Sequence, residues 1–303
     1  MNDGVLFTLC PFILPMRGIC PMNPDTELNM MDNELAPQLL NKEEAGSSTA
    51  ADLLPWQDWD AIGIGWDVRG WQGKAQAVAL VGWRREEESL HWLGVSPLFR
   101  LSSRSAPDIH SLLMPLLKDK SRVETLLRHP RLALGIDAPL AFPRAFTALL
   151  RGEDISISIP EREIDNLYAY RDCERWIHAH YRKKPLSASF DRLGNNATLA
   201  LAMLPALAPL QLVPRQRSAA PRALLEVYPA LAKQGGKRAC AGHGIHALLP
   251  EALQPGTDQY DAALCALMAL QYAAGDKVKA LPPLQAPPAD FPLDEGWIYH
   301  FVP

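Results

Sequence analysis

Two aspartates in this chain each stand at the end of a short apolar run. Asp67 ends the run Ile-Gly-Ile-Gly-Trp-Asp, and Asp137 ends the run Leu-Ala-Leu-Gly-Ile-Asp, which Pro139 then stops. Runs of this length and composition are typical of buried strands. An ionised carboxylate at the end of a core strand is costly unless it is paired, hydrogen-bonded or bound to a metal. The two aspartates therefore predict a site assembled between neighbouring strands.

Two further acids lie in similarly apolar surroundings. Glu226 lies within Ala-Leu-Leu-Glu-Val-Tyr, and Asp261 lies three residues after Asp258 at the start of an apolar helical pattern. Residues three apart share one face of a helix. Hard oxygen ligands that converge on one point suit Mg²⁺ or Mn²⁺, and two such ions about 4 Å apart can stabilise the attacking and leaving oxygens in phosphodiester cleavage. The acids predicted to be catalytic are Asp67, Asp137, Glu226 and Asp261.

Each of these acids also has a structural interpretation. Asp67 and Asp137 could initiate turns at strand ends, and Glu226 could form a salt bridge. Asp258 is better explained as the N-cap of its helix, with Thr257 as the competing cap. The occurrence of several such acids in one chain favours a shared site.

Positive charge is concentrated in one block of the chain. The 303 residues carry a net charge of −4, yet residues 171–238 hold 12 basic and 4 acidic residues, a net charge of +8. Such asymmetry is typical of a protein with a polyanionic partner, here nucleic acid, with DNA and RNA not distinguished. The candidate substrate contacts are Arg171, Arg175, Lys183 and Lys184. A solvated helix face remains the alternative for this block.

The hydrophobic pattern predicts the elements that must position these residues. Three short strands joined by polar turns indicate an antiparallel meander, and a strand reached through a helix lies parallel to the first. The predicted strands are 61–68, 75–83, 90–95, 132–140 and 223–228. One predicted helix begins at 107, and four others cover 143–150, 168–181, 196–207 and 258–274. This order is that of the ribonuclease H-like α/β fold, a mixed five-stranded sheet of an antiparallel three-strand meander plus two parallel strands, flanked by helices.

Composition divides the chain into three parts. Residues 1–58 are acidic and of low complexity, which predicts a disordered tail; 59–278 form the domain, with a helical insertion at about 144–222; and 279–303 form a Pro-rich C-terminal segment. No apolar run reaches the roughly 20 residues that cross a bilayer. Five scattered cysteines without a CxxC pair indicate a reducing compartment, so we expect a cytoplasmic protein without a membrane partner.

Four motifs of the chain resemble those of the predicted ribonuclease H-like nuclease family, a family long classed as a domain of unknown function. They are Gly65-Trp-Asp67, Gly135-Ile-Asp-Ala-Pro-Leu140, Glu226-Val-Tyr-Pro229 and Asp258-Gln-Tyr-Asp-Ala-Ala263. The resemblance covers about residues 60–275. It implies that Asp67, Asp137 and Asp261 are metal ligands, with Glu226 nearby. The chain departs from the family in the large residues Trp66 and Trp71, where smaller ones are expected.

The predicted function is therefore a metal-dependent nuclease-like hydrolase that cleaves phosphodiester bonds through a carboxylate-held two-metal site containing Mg²⁺ or Mn²⁺. One alternative is a binding module that has kept the fold and lost the chemistry, which the Trp66 and Trp71 departures favour. The other is a phosphotransferase of the actin-like or sugar-kinase type. Such proteins normally duplicate this domain and carry Gly-rich phosphate loops, and the chain shows neither.

Overall fold

One mixed sheet flanked by helices forms the centre of the molecule. The computed structural model describes residues 55–73, 75–102, 104–153, 158–191, 193–214, 220–233 and 244–302. The strands are β1 (Ala61–Asp67), β2 (Ala77–Arg84), β3 (Ser89–Val95), β4 (Leu132–Asp137), β5 (Gln211–Val213), β6 (Arg222–Val227) and β7 (Ile298–Tyr299). The helices are α1 (Ile109–Leu117), α2 (Lys120–Leu127), α3 (Arg144–Leu150), α4 (Asp172–Tyr181), α5 (Leu193–Met203) and α6 (Asp258–Ala273).

The strand order is β3-β2-β1-β4-β6-β5, and β7 pairs with β6 beyond the last residue that β5 contacts. The first three strands form the predicted antiparallel meander, and β4 lies parallel to β1 as expected. The predicted count of five strands is wrong, because the described residues form a sheet of seven. The two missed strands, β5 and β7, contain three and two residues, which is too short to show an alternating pattern.

The carboxyl ends of β1, β4 and β6 meet at one edge of the sheet, since all three run in the same direction. Asp67 and Asp137 are direct partners in the register of β1 and β4. Glu226 is instead the partner of Ile136, one position earlier. Because side chains alternate between the two faces of a sheet, Glu226 lies on the face opposite to Asp67 and Asp137.

The two faces of the sheet support separate cores. On one face, Ile62, Ile64 and Trp66 of β1 pack with side chains of α1, α2 and α5. On the other face lies α6, which is buried almost all round from Tyr260 to Gln271. This helix is enclosed because the C-terminal segment covers its outer side, with Trp297 and Phe301 in the same core. A helix enclosed in this way is apolar on every side.

Three glycines allow α6 to approach the sheet closely. A Cβ added to Gly65 would lie 1.9 Å from the carbonyl oxygen of Ala262, and one added to Gly63 would lie 2.3 Å from that of Ala266. On β4, a Cβ at Gly135 would lie 2.7 Å from the carbonyl oxygen of Cys265. The backbone of α6 therefore rests directly on the backbones of β1 and β4. This contact brings the first turn of α6 to the strand ends.

The ends of the predicted domain differ from the structure. Residues 1–54 of the predicted tail lie outside the described residues, but Trp56 is buried in the core and donates a hydrogen bond to the carbonyl oxygen of Arg122 at 3.0 Å. The ordered domain thus begins before Trp59. The Pro-rich segment 279–303 supplies β7 and core residues rather than merely following the domain. Among the described helices, none combines the length and apolar character needed to cross a membrane.

Candidate active site

Three aspartates lie together where β1, β4 and α6 meet. Asp67 and Asp137 are side by side in register and share the sheet face on which α6 packs. Asp261 lies in the first turn of α6. All three line one cavity of about 490 Å³ at the carboxyl ends of the parallel strands. This is where open α/β sheets typically bind their ligands.

The start of α6 fixes the position of Asp261. The Thr257 side chain accepts a hydrogen bond from the backbone N–H of Tyr260 at 3.3 Å and so is the N-cap. The prediction that Asp258 caps this helix is wrong, because the competing residue Thr257 takes that role. Asp258 instead forms an ion pair with Arg69. The cap and the glycine contacts together fix the turn that carries Asp261.

Burial and mutual repulsion raise the pKa of two of these carboxyls. The pKa of Asp67 rises to about 8, chiefly through burial and then through the charge of Asp137, with Arg69 partly offsetting both. The pKa of Asp137 rises to about 7, chiefly through burial and then through the charge of Asp261, with Lys233 opposing. Asp137 keeps some exposed surface and lines the cavity. Cations would be needed to keep both groups ionised at neutral pH.

Two basic side chains already lie against the aspartates. The Nζ of Lys233 donates a hydrogen bond to Oδ2 of Asp261 at 2.6 Å. The Nε of Arg69 lies 3.4 Å from Oδ2 of Asp67, within ion-pair range but without the alignment of a hydrogen bond. Sequence reasoning missed both residues. The available signals were their positions, two residues after Asp67 and shortly after the Glu-Val-Tyr-Pro motif.

Two oxygen atoms of the cluster lack a hydrogen-bond donor. Both Oδ2 of Asp67 and Oδ1 of Asp261 are buried, and no described residue donates a hydrogen bond to either atom. Within the described ranges, no three His, Cys, Asp or Glu side chains are arranged as they stand to hold a metal. Carboxylate oxygens are nevertheless the ligands that Mg²⁺ and Mn²⁺ prefer. The carboxylate oxygens of Asp67, Asp137 and Asp261 are chemically suited to such an ion. Lys233 is the cation that would compete with it.

Glu226 has a different environment from these three aspartates. Its Oε2 accepts hydrogen bonds at 2.8 Å from Nη1 of Arg171 and from the backbone N–H of Leu140, and its Oε1 accepts one from Nη2 of Arg171 at 2.5 Å. Glu226 contributes to the cavity wall, but its carboxylate is held in a buried ion pair. The structure therefore places it beside the aspartate cluster rather than within it.

Three of the four predicted substrate contacts line the cavity. Arg171 does so although it is fully buried, and its guanidinium also donates to Glu174, at 2.8 Å from Nη2 and 3.1 Å from Nε. Arg175 pairs with Asp172 and does not line the cavity. Lys183 and Lys184 line the cavity with exposed side chains. Of the four, these two lysines therefore have charges that are accessible to a substrate.

Comparison with protein-family models, with curated protein sequences and with solved structures found no match to this chain. The interpretation of the cavity therefore depends on its own geometry. The departure at Trp66 does not obstruct it, because this side chain lies in the core of the opposite sheet face and donates from Nε1 to Gln76 at 2.9 Å. Trp71 is half exposed and donates from Nε1 to Thr198 at 3.0 Å.

Proposed function

We propose that this chain is a divalent-metal-dependent hydrolase that cleaves phosphodiester bonds of nucleic acid. The observation that carries the proposal is the placement of Asp67 and Asp137 as direct neighbours on two parallel strands, with Asp261 on the helix packed above them. Three carboxylates at one point are electrostatically unfavourable without a cation. Basic side chains at the same cavity suit a phosphate-containing substrate.

The arrangement of strands supports a ribonuclease H-like fold within this proposal. An antiparallel meander whose first strand lies parallel to β4, with β6 next in order, is the arrangement that the motif resemblance implies. The short strands β5 and β7 would then be additions at the edge beside β6. We also propose a cytoplasmic location, since the described cysteines Cys173 and Cys265 are buried and unpaired.

In the proposed mechanism, Asp67, Asp137 and Asp261 would hold Mg²⁺ or Mn²⁺. A bound ion of this kind stabilises charge on a phosphoryl oxygen and lowers the pKa of water. Lys183 and Lys184 at the cavity wall contact the phosphodiester backbone as point charges. The pair between Arg171 and Glu226 would keep this part of the cavity wall rigid, because both oxygens of Glu226 accept hydrogen bonds from Arg171.

Cleavage assays test the proposal directly. The purified protein is incubated with end-labelled DNA and RNA, single-stranded and duplex, in Mg²⁺, Mn²⁺ or EDTA. We expect cleavage of at least one substrate only with metal, and loss of at least about 100-fold in rate for Asp67→Asn, in line with the loss of an electrostatic catalytic group. Asp290→Asn, which changes an exposed aspartate away from the cavity, should retain activity. Undiminished cleavage by purified Asp67→Asn would refute the proposal.

A non-catalytic nucleic-acid-binding module is the second candidate, because Lys233 and Arg69 already pair with the acids of the cavity. Calorimetric titration with Mn²⁺ discriminates between the two. Binding that Asp137→Asn abolishes favours the hydrolase, whereas absence of binding together with retained nucleic-acid affinity favours the module. Thermal stabilisation by ATP but not by nucleic acid would instead indicate a phosphotransferase.

A further inference from the structure

A partly exposed aromatic cluster lies on α3, on the segment just before α3 and on the turn that precedes α5. Although α3 is rich in apolar residues, none of its residues is buried. Phe146 of this helix contacts Phe142 and Phe190, with ring centroids 5.8 Å and 6.4 Å away. Phe190 is 60% exposed. We call Phe142, Phe146 and Phe190 the aromatic ledge.

The ledge follows the lining of the aspartate cavity along the chain. The chain from Lys183 to Leu186 lines that cavity, and Leu186 is itself half exposed. Phe190 follows four residues later with no helix or strand in between. Four residues span at most about 14 Å, so a polymer that leaves the cavity past Leu186 can reach Phe190.

Hydrogen bonds fix the turn that carries Phe190. The Oγ of Ser187 accepts from the backbone N–H groups of Ser189 at 3.1 Å and of Phe190 at 3.0 Å, and donates to the carbonyl oxygen of Ala169 at 2.7 Å. The backbone N–H of Ser187 in turn donates to Asp191 at 2.6 Å. Phe190 is thus held outward by a defined turn, although outward exposure of a large aromatic ring is unfavourable by itself.

Positive charge accompanies the ledge. Arg182, Lys183 and Lys184 form an exposed run at the end of α4, within the block of net charge +8. Lys184 is paired with Glu163 at 2.5 Å, which leaves a net positive rim. Aromatic faces next to cationic side chains bind single-stranded nucleic acid, because unpaired bases stack while phosphates meet the charges. A duplex keeps its base faces inside the helix and offers only its edges in the grooves.

We propose that the substrate class of this site is single-stranded nucleic acid, or an unpaired segment of a larger one. One base stacks on Phe190, and the adjoining phosphates contact Lys183 and Lys184 as the strand enters the aspartate cavity. This inference rests on the proposed function where it names a substrate. The prediction that the ledge and the lysines bind nucleic acid is independent of that function, since these residues are not among the proposed metal ligands.

Binding measurements in EDTA test the inference without any cleavage. Fluorescence anisotropy compares labelled 20-nucleotide single strands with duplexes of the same sequence, as DNA and as RNA. We expect the wild-type protein to bind single strands about tenfold more tightly than duplexes. Phe190→Ala should weaken single-strand binding about tenfold, the lower part of the range for loss of one stacked base, and leave duplex binding unchanged. Phe190→Trp should restore it.

Controls separate the alternatives. Leu98→Ala removes another half-exposed apolar side chain and should leave both affinities unchanged. Lys183→Ala should weaken single-strand and duplex binding together and reduce the salt dependence.

Equal affinity for single strands and duplexes would overturn the inference. So would a Phe190→Ala variant that binds like wild type but changes from dimer to monomer in sedimentation, since the ledge would then be an interface between copies. Single-strand binding through Phe190 without metal-dependent cleavage would refute the hydrolase alone.

Discussion

At the scale of single residues, the character of Asp67 and Asp137 comes from their neighbours. Each stands at a strand end, a position that many aspartates occupy as turn residues. In this fold the two are adjacent in register, Asp261 lies with them at the cavity, and the pKa values of both rise well above 3.8. A raised carboxyl pKa marks a site that favours either a proton or a cation. Lys233 is the residue whose charge would compete most directly with a cation bound at these aspartates.

We expect Lys233→Met to bind Mn²⁺ more tightly than wild type, by about tenfold, or 1.4 kcal/mol. The reason is that the Nζ of Lys233 donates a hydrogen bond to Oδ2 of Asp261. Removal of this donor leaves that oxygen free to bind the metal. Calorimetric titration measures the change. Lys183→Met is the matched control, since Lys183 lines the same cavity without a described contact to the three aspartates. Weaker Mn²⁺ binding by Lys233→Met would show that the lysine does not compete with the metal.

A second prediction at this scale concerns Arg171, which the sequence suggested as a substrate contact. Arg171→Met should cost about 3–5 kcal/mol of unfolding free energy, because it leaves the buried carboxylates of Glu174 and Glu226 unpaired. Glu226→Gln should cost less, about 1–3 kcal/mol, since the pair between Arg171 and Glu174 survives. Urea unfolding measures both.

Arg175→Met is the matched control for Arg171→Met, because the pair between Arg175 and Asp172 is partly exposed and such pairs contribute at most about 1 kcal/mol. Wild-type stability of Arg171→Met, together with weakened nucleic-acid binding, would restore Arg171 as a substrate contact.

At the scale of elements, the sequence predicts well those segments whose pattern is long or strongly apolar. The final helix was predicted at 258–274 and is observed as Asp258–Ala273, and the first and fourth strands begin at the predicted residues. The face that each side chain occupies was harder to predict. Glu226 shares the apolar setting of Asp137, yet the register of β6 against β4 turns it to the opposite face. A shift of one residue in that register would reverse the face of every side chain of β6, so the face of Glu226 depends on pairing between segments that are far apart in the chain.

The contact of α6 with the glycines of β1 makes a testable prediction. Gly65→Ala should lower the unfolding free energy by at least about 1–3 kcal/mol, the usual cost of overpacking, because the added carbon would lie 1.9 Å from a carbonyl oxygen of α6. It should also weaken Mn²⁺ binding, since α6 carries Asp261. Chemical denaturation and metal titration of the same sample measure the two effects.

Gly152→Ala provides a control with a different cause of strain. Gly152 has a φ of +69°, and no described atom lies within 4 Å of an added Cβ, so alanine there should cost about 1–2 kcal/mol through left-handed backbone strain. Metal binding should be unaffected. If Gly65→Ala weakened metal binding no more than Gly152→Ala, the contact between α6 and β1 would not be what positions Asp261.

At the scale of the whole molecule, the cavity combines parts that lie far apart in the chain. Arg171 finds its partner Glu226 across 55 residues, and Lys233 finds Asp261 across 28. The sequence identified all three aspartates because each follows or begins an apolar element. It did not identify the pairing of charges, because pairing depends on the packing of separate elements. The same reason explains why β7 and the core contacts of the C-terminal segment were not anticipated.

The raised pKa values predict how global stability depends on pH. Asp67 and Asp137 have folded-state pKa values of about 8 and about 7, against 3.8 as the ordinary value. The folded state therefore keeps protons that the unfolded state has lost, and the unfolding free energy of the metal-free protein falls as pH rises from about 4 to about 8. Added Mn²⁺ should stabilise the protein increasingly over the upper part of that range.

Urea unfolding at successive pH values, with and without Mn²⁺, measures this dependence. Asp67→Asn should show a shallower decline than wild type, because the amide cannot titrate. The unfolding free energy of the wild type could instead rise between about pH 5 and pH 8, and rise more than that of Asp67→Asn. That result would contradict the assigned direction of the Asp67 pKa shift.

The proposed function requires that Asp67, Asp137 and Asp261 jointly bind a divalent metal ion. Anomalous diffraction from crystals grown with Mn²⁺ would locate such an ion. The expected result is a manganese peak within bonding distance of carboxylate oxygens of Asp67 and Asp137, near the roughly 2.0–2.1 Å of Mg²⁺–oxygen contacts, with Asp261 in its coordination shell and Lys233 displaced. Well-ordered crystals with no manganese between Asp67 and Asp137, and with the Lys233–Asp261 ion pair intact at saturating Mn²⁺, would contradict the proposed function.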